Sequence, residues 1–357
     1  MNDEHFMTIA LQMAAMATGQ TSPNPLVGCV VVKDNSIVGT GAHLRAGRAH
    51  AEVNALQMAG EDANGATIYV TLEPCSHTGR TPPCCEAIIK AGVARVVIAS
   101  MDSNPLVAGK GVTWLKRAGV SVETGVLEKE ATQLNRMFMH HISAKKPYTT
   151  LKFAASLDGK IATAMGESQW ITGERARRDG WKERSLHDGI LVGIQTVLAD
   201  QPALTTRGVG TKTPTRIVLD SHLKLPINAT IVTDQMAPTW VLTNRDVSDE
   251  KVNTLEALGI RVIKTDPHQL DVWLPLLYEY GITSLYVEGG ARVLGSFLTS
   301  GNYQRVVAYL APMLLGGDNA LSSFGGKGID SLANTTRLHF KQTEQIGEDL
   351  KIVLESF

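Results

Sequence analysis

Three residues able to ligate a soft divalent metal stand in two short segments near the start of the chain. They are His50 in His50-Ala51-Glu52, and Cys75 and Cys84 at the two ends of Cys75-Ser76-His77-Thr78-Gly79-Arg80-Thr81-Pro82-Pro83-Cys84. One nitrogen and two sulfurs suit Zn²⁺, and three protein ligands leave a fourth position for water, the arrangement of a catalytic site rather than a structural one. Glu52, two residues past His50, can turn its carboxylate toward that position without ligating. Zinc lowers the pKa of a bound water from about 15.7 to about 7, and a carboxylate beside it can then move protons to a departing group.

The elements that must position these residues are readable around them. His50 opens a pattern of helical spacing that runs to Met58, and a second helix is predicted from Pro83 or Cys84 to Ala91, with proline in the first turn and Gly92 as the stop. Each ligand group therefore sits near the amino end of a helix. An earlier helix is predicted over Leu11 to Ala17, closed by Thr21-Ser22-Pro23-Asn24-Pro25. Apolar or β-branched runs predict strands at Val27–Val32, Thr67–Leu72, Arg95–Ser100 and Val120–Thr124, with Ile37–Leu44 as the hairpin partner of the first. Alternating strands and helices describe an α/β layer fold. Cys29 lies inside an apolar strand and reads as core packing. Cys85 points about 100° around its helix from Cys84 and reads the same way. His77 and Arg80 are candidates to touch a substrate phosphate or ring, and His140-His141 reads as structural.

At 357 residues the chain exceeds one ordinary domain, so two are expected. Lys and Arg total 34 against 35 Asp and Glu, and division near residue 146 leaves 13 against 12 before it and 21 against 23 after it. Neither part is basic enough for a long phosphate-backbone footprint, whereas small anionic substrates remain open. A hydrophobic content of 43% with 19% charged residues is that of a soluble globular chain. There is no apolar run of membrane-spanning length, and the acidic Met1-Asn2-Asp3-Glu4-His5 leads into no signal core, so a cytoplasmic location is the expectation. In a reducing compartment the four cysteines serve metal binding or burial rather than disulfides.

Ser143-Ala144-Lys145-Lys146-Pro147 reads as the linker, and Pro147 to Ala154 begins a new strand. Further strands are predicted at Ile190–Val192, Arg216–Leu219, Ile231–Val232, Trp240–Thr243, Arg261–Ile263, Ser284–Val287 and Arg305–Leu310. Helices are predicted at Arg175–Leu186, Val252–Leu258, Leu270–Tyr280 and Ala291–Thr299. This order implies a large, mainly parallel sheet with a closing edge hairpin, Leu338–Ile346 and Leu350–Glu355. No Gly-x-Gly-x-x-Gly follows a strand. Strand Ser284–Val287 instead runs into Glu288-Gly289-Gly290-Ala291-Arg292-Val293-Leu294-Gly295-Ser296, whose glycines would let helix-start N–H groups approach a phosphate.

Taken together, His-x-Glu, Pro-Cys and a further cysteine resemble the zinc deaminases of nucleobases. Eight residues separate the two cysteines, where that group commonly has two. The longer loop is similar to that of the riboflavin-pathway pyrimidine deaminases, as is Ser22-Pro23-Asn24-Pro25-Leu26-Val27-Gly28, which resembles their substrate-side loop. Leu151-Lys152-Phe153-Ala154-Ala155-Ser156-Leu157-Asp158-Gly159-Lys160-Ile161-Ala162, Ser168-Gln169-Trp170-Ile171-Thr172 and the Glu288-Gly289-Gly290 segment resemble the reductase of the same pathway, a relative of dihydrofolate reductase in fold. Nearly the whole chain thus resembles the bifunctional deaminase and reductase family of riboflavin biosynthesis.

The resemblance implies an amino-terminal cytidine-deaminase-like three-layer α/β/α domain, residues 1–146, and a carboxy-terminal dihydrofolate-reductase-like α/β domain, residues 147–357. It implies one Zn²⁺ on His50, Cys75 and Cys84, with Glu52 catalytic. NADPH would meet Ala154, Trp170, Thr196, Asp200, Ser221 and the run Gly290, Ala291, Arg292, Val293, Leu294, Gly295 and Ser296. Substrate would meet Ser168, Arg184, Leu204, Arg207 and Glu288, with the two arginines suited to a ribose phosphate and Glu288 to ribose hydroxyls. Lys152 and Asp200 are ionisable candidates for steering protons, and Arg245 for the cofactor's 2′-phosphate. The implied partner is a small phosphorylated pyrimidine, with no nucleic acid and no membrane, in a homo-oligomer. Two other readings share the metal site: a tRNA or free-base deaminase, which leaves the second domain unexplained, and a zinc-stabilised binding module without turnover.

Overall fold

Strand residues of the amino-terminal part alternate between two cores, which makes it a three-layer structure. The computed structural model describes residues 2–77, 82–104 and 108–356, and the chain divides into two compact units, Met1–Lys145 and Lys146–Phe357. In the first unit, strands β1 (Gly28–Lys33), β2 (Ser36–Ala42), β3 (Thr67–Leu72), β4 (Arg95–Ser100) and β5 (Ser121–Thr124) form a sheet of order β2-β1-β3-β4-β5. The pairs β1–β2 and β1–β3 are antiparallel, and β3–β4 and β4–β5 are parallel. Asp34 and Asn35 both take positive φ, 48° and 61°, in the tight β1–β2 turn.

Helices α1 (Asp3–Ala15), α2 (Ala51–Ala59), α3 (Cys84–Lys90), α4 (Lys110–Arg117), α5 (Glu128–Leu134) and α6 (Arg136–Ala144) cover the sheet. Cys29, Val31, Ile68, Val70, Val96 and Ile98 face a core with α2, α3 and α4, whereas Val30, Val32, Tyr69, Val97 and Ala99 face α1 and α5. α1 begins eight residues before the predicted Leu11, because the Asn2 side chain caps it by accepting the His5 N–H at 3.1 Å. It lies so close to β1 that a Cβ on Gly28 would sit 1.9 Å from the Ala10 carbonyl oxygen, so only glycine fits.

The second unit contains β6 (Tyr148–Ser156), β7 (Gly189–Gly193), β8 (Thr215–Leu219), β9 (Thr239–Thr243), β10 (Arg261–Lys264), β11 (Ser284–Val287), β12 (Arg305–Ala311), β13 (Leu338–Ile346) and β14 (Asp349–Ser356). They form one sheet of order β10-β9-β8-β7-β11-β6-β12-β14-β13, parallel up to β12 and closed by the antiparallel β13–β14 hairpin. The helices are α7 (Glu174–Ser185), α8 (Ile194–Asp200), α9 (Thr230–Thr233), α10 (Asp249–Ala257), α11 (Leu270–Glu279) and α12 (Ala291–Ser300). α11 and α12 pack on Leu151, Leu191, Ile217 and Leu242. α8, α9 and α10 pack on Ile190, Val192, Val218 and Val241. The predicted strand Ile231–Val232 is instead the single turn α9. Both residues are buried, and a buried β-branched pair carries no period that separates a strand from a helical turn.

Beneath α7 lies a buried polar layer. Arg305 forks onto Glu183 at 2.7 and 3.1 Å, Lys351 Nζ reaches Glu183 at 3.1 Å and Asp179 at 2.5 Å, and the Tyr309 hydroxyl donates to Asp179 at 2.6 Å. Burial pushes the Glu183 carboxyl up, but the Arg305 hydrogen bonds and the charges of Arg305 and Lys351 outweigh it and hold it at about 2. His187 is fully buried between the Glu183 carbonyl and the Thr150 hydroxyl, and burial lowers its pKa to about 4. In the unfolded chain His187 binds a proton below its ordinary value of about 6.5, while in the folded chain it stays neutral down to about 4. Stability therefore falls as pH drops through that window, at up to about 1.4 kcal/mol per pH unit from this one group. Urea unfolding of wild type and His187→Gln between pH 7 and pH 5 is expected to show a shallower pH dependence in the variant; equal slopes would show that His187 is not buried neutral.

Candidate active sites

In the amino-terminal unit the three candidate ligands come from two helix starts and the segment that follows β3. His50 is the N-cap of α2, Cys84 is the first residue of α3, and Cys75 lies in the segment leaving β3. His50 Nδ1 lies 3.2 Å from Cys84 Sγ and 3.6 Å from Cys75 Sγ, and all three ligand atoms fall within 4.8 Å of one another. Tetrahedral zinc with bonds of about 2.0–2.3 Å spaces its ligands about 3.3–3.8 Å apart, so the donor set and its spacing fit that ion. The Cys84 N–H donates to Cys75 Sγ at 3.2 Å. The Cys75 thiol is pushed down to about 4, chiefly by the Cys84 thiol that donates to it and then by His50 against burial; Cys84 is correspondingly raised.

Glu52 sits in the first turn of α2, only 3% exposed, and burial raises its carboxyl to about 7, near the operating pH of a proton carrier. It lines a cavity of about 480 Å³ together with Asn24, His43, His50, Cys75, His77 and Asp102. His43 Nδ1 faces the Ala49 carbonyl at 3.1 Å, and its Nε2 lies 3.1 Å from Asn24 Nδ2. With Nδ1 protonated, Nε2 accepts from Asn24, which leaves the Asn24 carbonyl oxygen for the cavity. Burial lowers the His43 pKa and keeps this neutral tautomer.

The opposite wall is held by Glu73, 4% exposed, whose carboxylate accepts N–H groups of Gly109, Gly111 and Val112 at 3.0, 2.9 and 3.3 Å. Cys85 is buried with its Sγ 3.4 Å from the Pro74 carbonyl oxygen, and Cys29 is buried in the same core. Arg80 lies outside the described residues. His141 is buried on α6. His43 and Asp102 were missed in the sequence; their one signal is position, just past the ends of strands β2 and β4.

The second unit gathers its candidates at the carboxyl ends of its parallel strands. A cavity of about 480 Å³ is lined by Lys152, Ala154, Ser168, Trp170, Thr196, Asp200, Arg184, Leu204, Arg207 and Glu288, whereas Ser221 and the run 290–296 lie outside its lining. Arg184 Nε and Nη2 both donate to Glu288, and its Nη1 donates to the Thr205 carbonyl at 2.7 Å. Its fork is thus committed inside the protein, whereas the sequence placed it on a phosphate. Lys152 Nζ is 3.3 Å from Glu288 Oε2, the oxygen that Arg184 Nη2 also reaches. Burial pushes Glu288 up, but the charges of Arg184 and Lys152 prevail and hold it at about 2. Arg207 stacks on Trp181 at 4.9 Å and takes a left-handed backbone, as does Leu204. Arg177, missed in the sequence because it lies in a charged helical run, lines the same cavity and stacks on Trp170 at 4.5 Å.

β7 and β11 are neighbours whose crossovers leave in opposite directions, α8 toward β8 and α12 past β6 to β12, so the crevice between them is a topological switch point. Both helices start on glycine N-caps, Gly193 and Gly290, without a side-chain cap. A Cβ on Gly290 would stand 3.7 Å from Thr196 Oγ1, so the two helix starts approach each other closely. Within the run 290–296, Gly290, Ala291 and Arg292 face this edge as cap and first turn. Leu294 belongs to the core, a Cβ on Gly295 would lie 1.8 Å from the Gly325 carbonyl oxygen, and Ser296 bonds back to the Arg292 carbonyl.

Comparison with known proteins identifies the family of both units. Residues 1–100 match the family described as "Cytidine and deoxycytidylate deaminase zinc-binding region", and residues 147–352, more than half the chain, match the "RibD C-terminal domain". The riboflavin biosynthesis protein RibD of Bacillus amyloliquefaciens is 51% identical over 353 residues, covering 98% of this chain and 95% of that protein. The chain belongs to the RibD family of riboflavin biosynthesis proteins. The RibD of Aquifex aeolicus is 46% identical, with 99% of each chain covered. Among solved structures, Acinetobacter baumannii RibD superposes with a TM-score of 0.90 at 40% identity, and the deaminase/reductase of Thermotoga maritima with 0.88 at 34%, each covering 99% of both chains.

The RibD family joins a zinc-dependent deaminase to an NADPH-dependent reductase, and this chain is bifunctional in that sense. No helix among the described residues is long and apolar enough to cross a membrane. Because the zinc ligands sit on preformed elements, a strong chelator is expected to remove one zinc per chain and abolish deamination while leaving the far-ultraviolet circular dichroism nearly unchanged. Collapse of that signal on chelation would identify a structural zinc instead.

Proposed function

We propose that residues 1–146 hydrolyse the 2-amino group of 2,5-diamino-6-(5-phosphoribosylamino)pyrimidin-4-one, and that residues 147–357 reduce the ribosyl group of the product to ribityl, giving 5-amino-6-(5-phosphoribitylamino)uracil. The observation that carries the first half is Glu52, buried against three converging soft ligands. His50, Cys75 and Cys84 would hold Zn²⁺, which supplies a water of lowered pKa and polarises the attacked carbon's surroundings when bound. Glu52 takes a proton from the attacking water and delivers protons to the ring and the departing amine, so that water and the amidine become the ring carbonyl and ammonia. Asn24, its amide oriented by His43, accepts a hydrogen bond from the pyrimidine.

In the second half NADPH, when bound, would supply the hydride. Ala154, Trp170, Thr196, Asp200 and the start of α12 would hold its nicotinamide and phosphates, Ser168 and Leu204 would border the sugar, and Glu288 would meet the ribose hydroxyls. Glu288 suits that role because Arg184 and Lys152 keep it ionised. Arg207, with its guanidinium backed by Trp181, is the arginine best placed for the ribose phosphate. The closing strand β13 is exposed along nearly its whole length, with Phe340 73% exposed, and such an edge favours self-association of the chain into a homo-oligomer. A small phosphorylated pyrimidine as partner and a cytoplasmic location complete the proposal; the balanced charge gives no footing for nucleic acid.

Glu52→Gln is expected to keep its zinc and lower ammonia release by about 10²- to 10⁴-fold, the usual contribution of a general acid–base group. Consumption of NADPH on the already deaminated intermediate should be unchanged in the same variant. Undiminished ammonia release would remove Glu52 from the mechanism, and loss of both activities would mark a folding defect.

A further inference from the structure

Asn135 occupies the N-cap position of α6, where an Asn side chain ordinarily bonds a first-turn N–H, yet its side chain caps nothing. It is the one residue between α5 and α6, and only 3% of it is exposed. Its N–H donates to the Ala131 carbonyl at 3.1 Å and its carbonyl accepts the Met139 N–H at 2.9 Å, so the flanking helices fix its backbone. The side chain reaches across 109 residues of sequence to Leu26. Oδ1 accepts the Leu26 N–H and Nδ2 donates to the Leu26 carbonyl, each at 2.8 Å. A primary amide presents a donor and an acceptor side by side, as a strand residue does to its neighbour. Asn135 therefore extends the pairing of the chain to Leu26, two residues before β1 begins.

What Leu26 anchors is the segment that borders the zinc-site cavity. Pro23, Asn24, Pro25 and Val27 all line that cavity. Two of the four are prolines with no N–H to give, so the segment has few backbone groups with which to hold itself in place. Its tethers are the Asn24 N–H on the Thr21 carbonyl at 2.9 Å, the His43 N–H on the Val27 carbonyl at 2.9 Å, and the Asn135 fork on Leu26 between them. Phe138 and Ile142, three and seven residues after Asn135, line the same cavity, so this face of α6 is one of its walls. Asn135 joins that wall to the segment carrying Asn24. His43 sets the rotation of the Asn24 amide, and Asn135 sets the backbone from which that amide reaches into the cavity.

We propose that Asn135 is a positioning residue of the deaminase, whose two hydrogen bonds to Leu26 hold Asn24 at the distance from the zinc ligands that the pyrimidine needs. The assignment rests on the reading of Asn24 as a contact to the pyrimidine. Steady-state ammonia release from the diaminopyrimidine by zinc-loaded, full-length wild type, Asn135→Ala, Asn24→Ala and the double variant tests it. Asn135→Ala is expected to raise KM about tenfold with kcat nearly unchanged, because binding common to ground and transition states is lost. NADPH consumption on the deaminated intermediate should stay at the wild-type level. Asn24→Ala is expected to raise KM as well, and the double variant to show no higher KM than Asn24→Ala alone, since both act through one contact. Unchanged KM in Asn135→Ala, or losses that multiply in the double variant, overturns the assignment. If Asn135→Ala loses its zinc or both activities, Asn135→Asp replaces it; this variant keeps the acceptor for the Leu26 N–H and lacks the donor, and the same two outcomes overturn the assignment. A wild-type KM in Asn24→Ala instead overturns the reading of Asn24 on which the assignment rests.

Discussion

Both sites depend on one constraint: the loops that carry the chemistry leave a sheet edge and feed helix starts, so side chains from several elements are delivered to one line. In the first unit β3 leads through Cys75 to α3, and the chain after β2 leads through His50 to α2. The two first turns meet, and His50, Cys75 and Cys84 converge within 4.8 Å. In the second unit β7 and β11 diverge into α8 and α12, opening the crevice beside Thr196 and Gly290. Neither arrangement asks the strands to be unusual. Each asks only that the chain turn sharply enough for a helix to begin where the chemistry is wanted.

Electrostatics then separate the two sites. Glu52, Glu183 and Glu288 are all buried carboxylates, and burial alone would raise all three. Among the charges that act on Glu52 only His50 favours the ionised form, burial outweighs it, and the carboxyl rises to about 7, which suits a group that gains and loses protons. Glu288 has Arg184 and Lys152, Glu183 has Arg305 and Lys351, and both stay ionised. One carboxylate is therefore poised to carry protons, a second presents a fixed charge to the reductase cavity, and the third fastens α7 to the sheet. The same helix carries Glu183 inward and Arg184 toward Glu288, so fold stability and cavity charge share a single element.

Much of this was legible in the residues. β3, β4, β11 and β13 fall where runs of β-branched and apolar residues predicted them, and the starts of α2 and α3 were signalled by composition and by Pro83. Short buried segments were not legible, as the helical turn at Ile231–Val232 shows. α4, α5, α6 and α8 are short and start without a side-chain cap, and the sequence reading does not include them. Pairing was the larger blind spot. Arg184 reads in sequence as one cation among many in a charged helix, and only the fold shows that its fork closes on Glu288, over a hundred residues away. Likewise the His43–Asn24 contact and the glycine contact of Gly295 with Gly325 depend on partners that spacing along the chain does not reveal.

The central claim is that two separate chemistries act in order on one phosphorylated pyrimidine. Mass analysis of the products formed by zinc-loaded wild-type protein from the diamino substrate, with and without NADPH, tests it most directly. Without NADPH the account predicts accumulation of the deaminated ribosylamino compound and ammonia; with NADPH it predicts conversion to the ribitylamino compound. A ribityl product that still carries the 2-amino group, or deamination that requires NADPH, would contradict it.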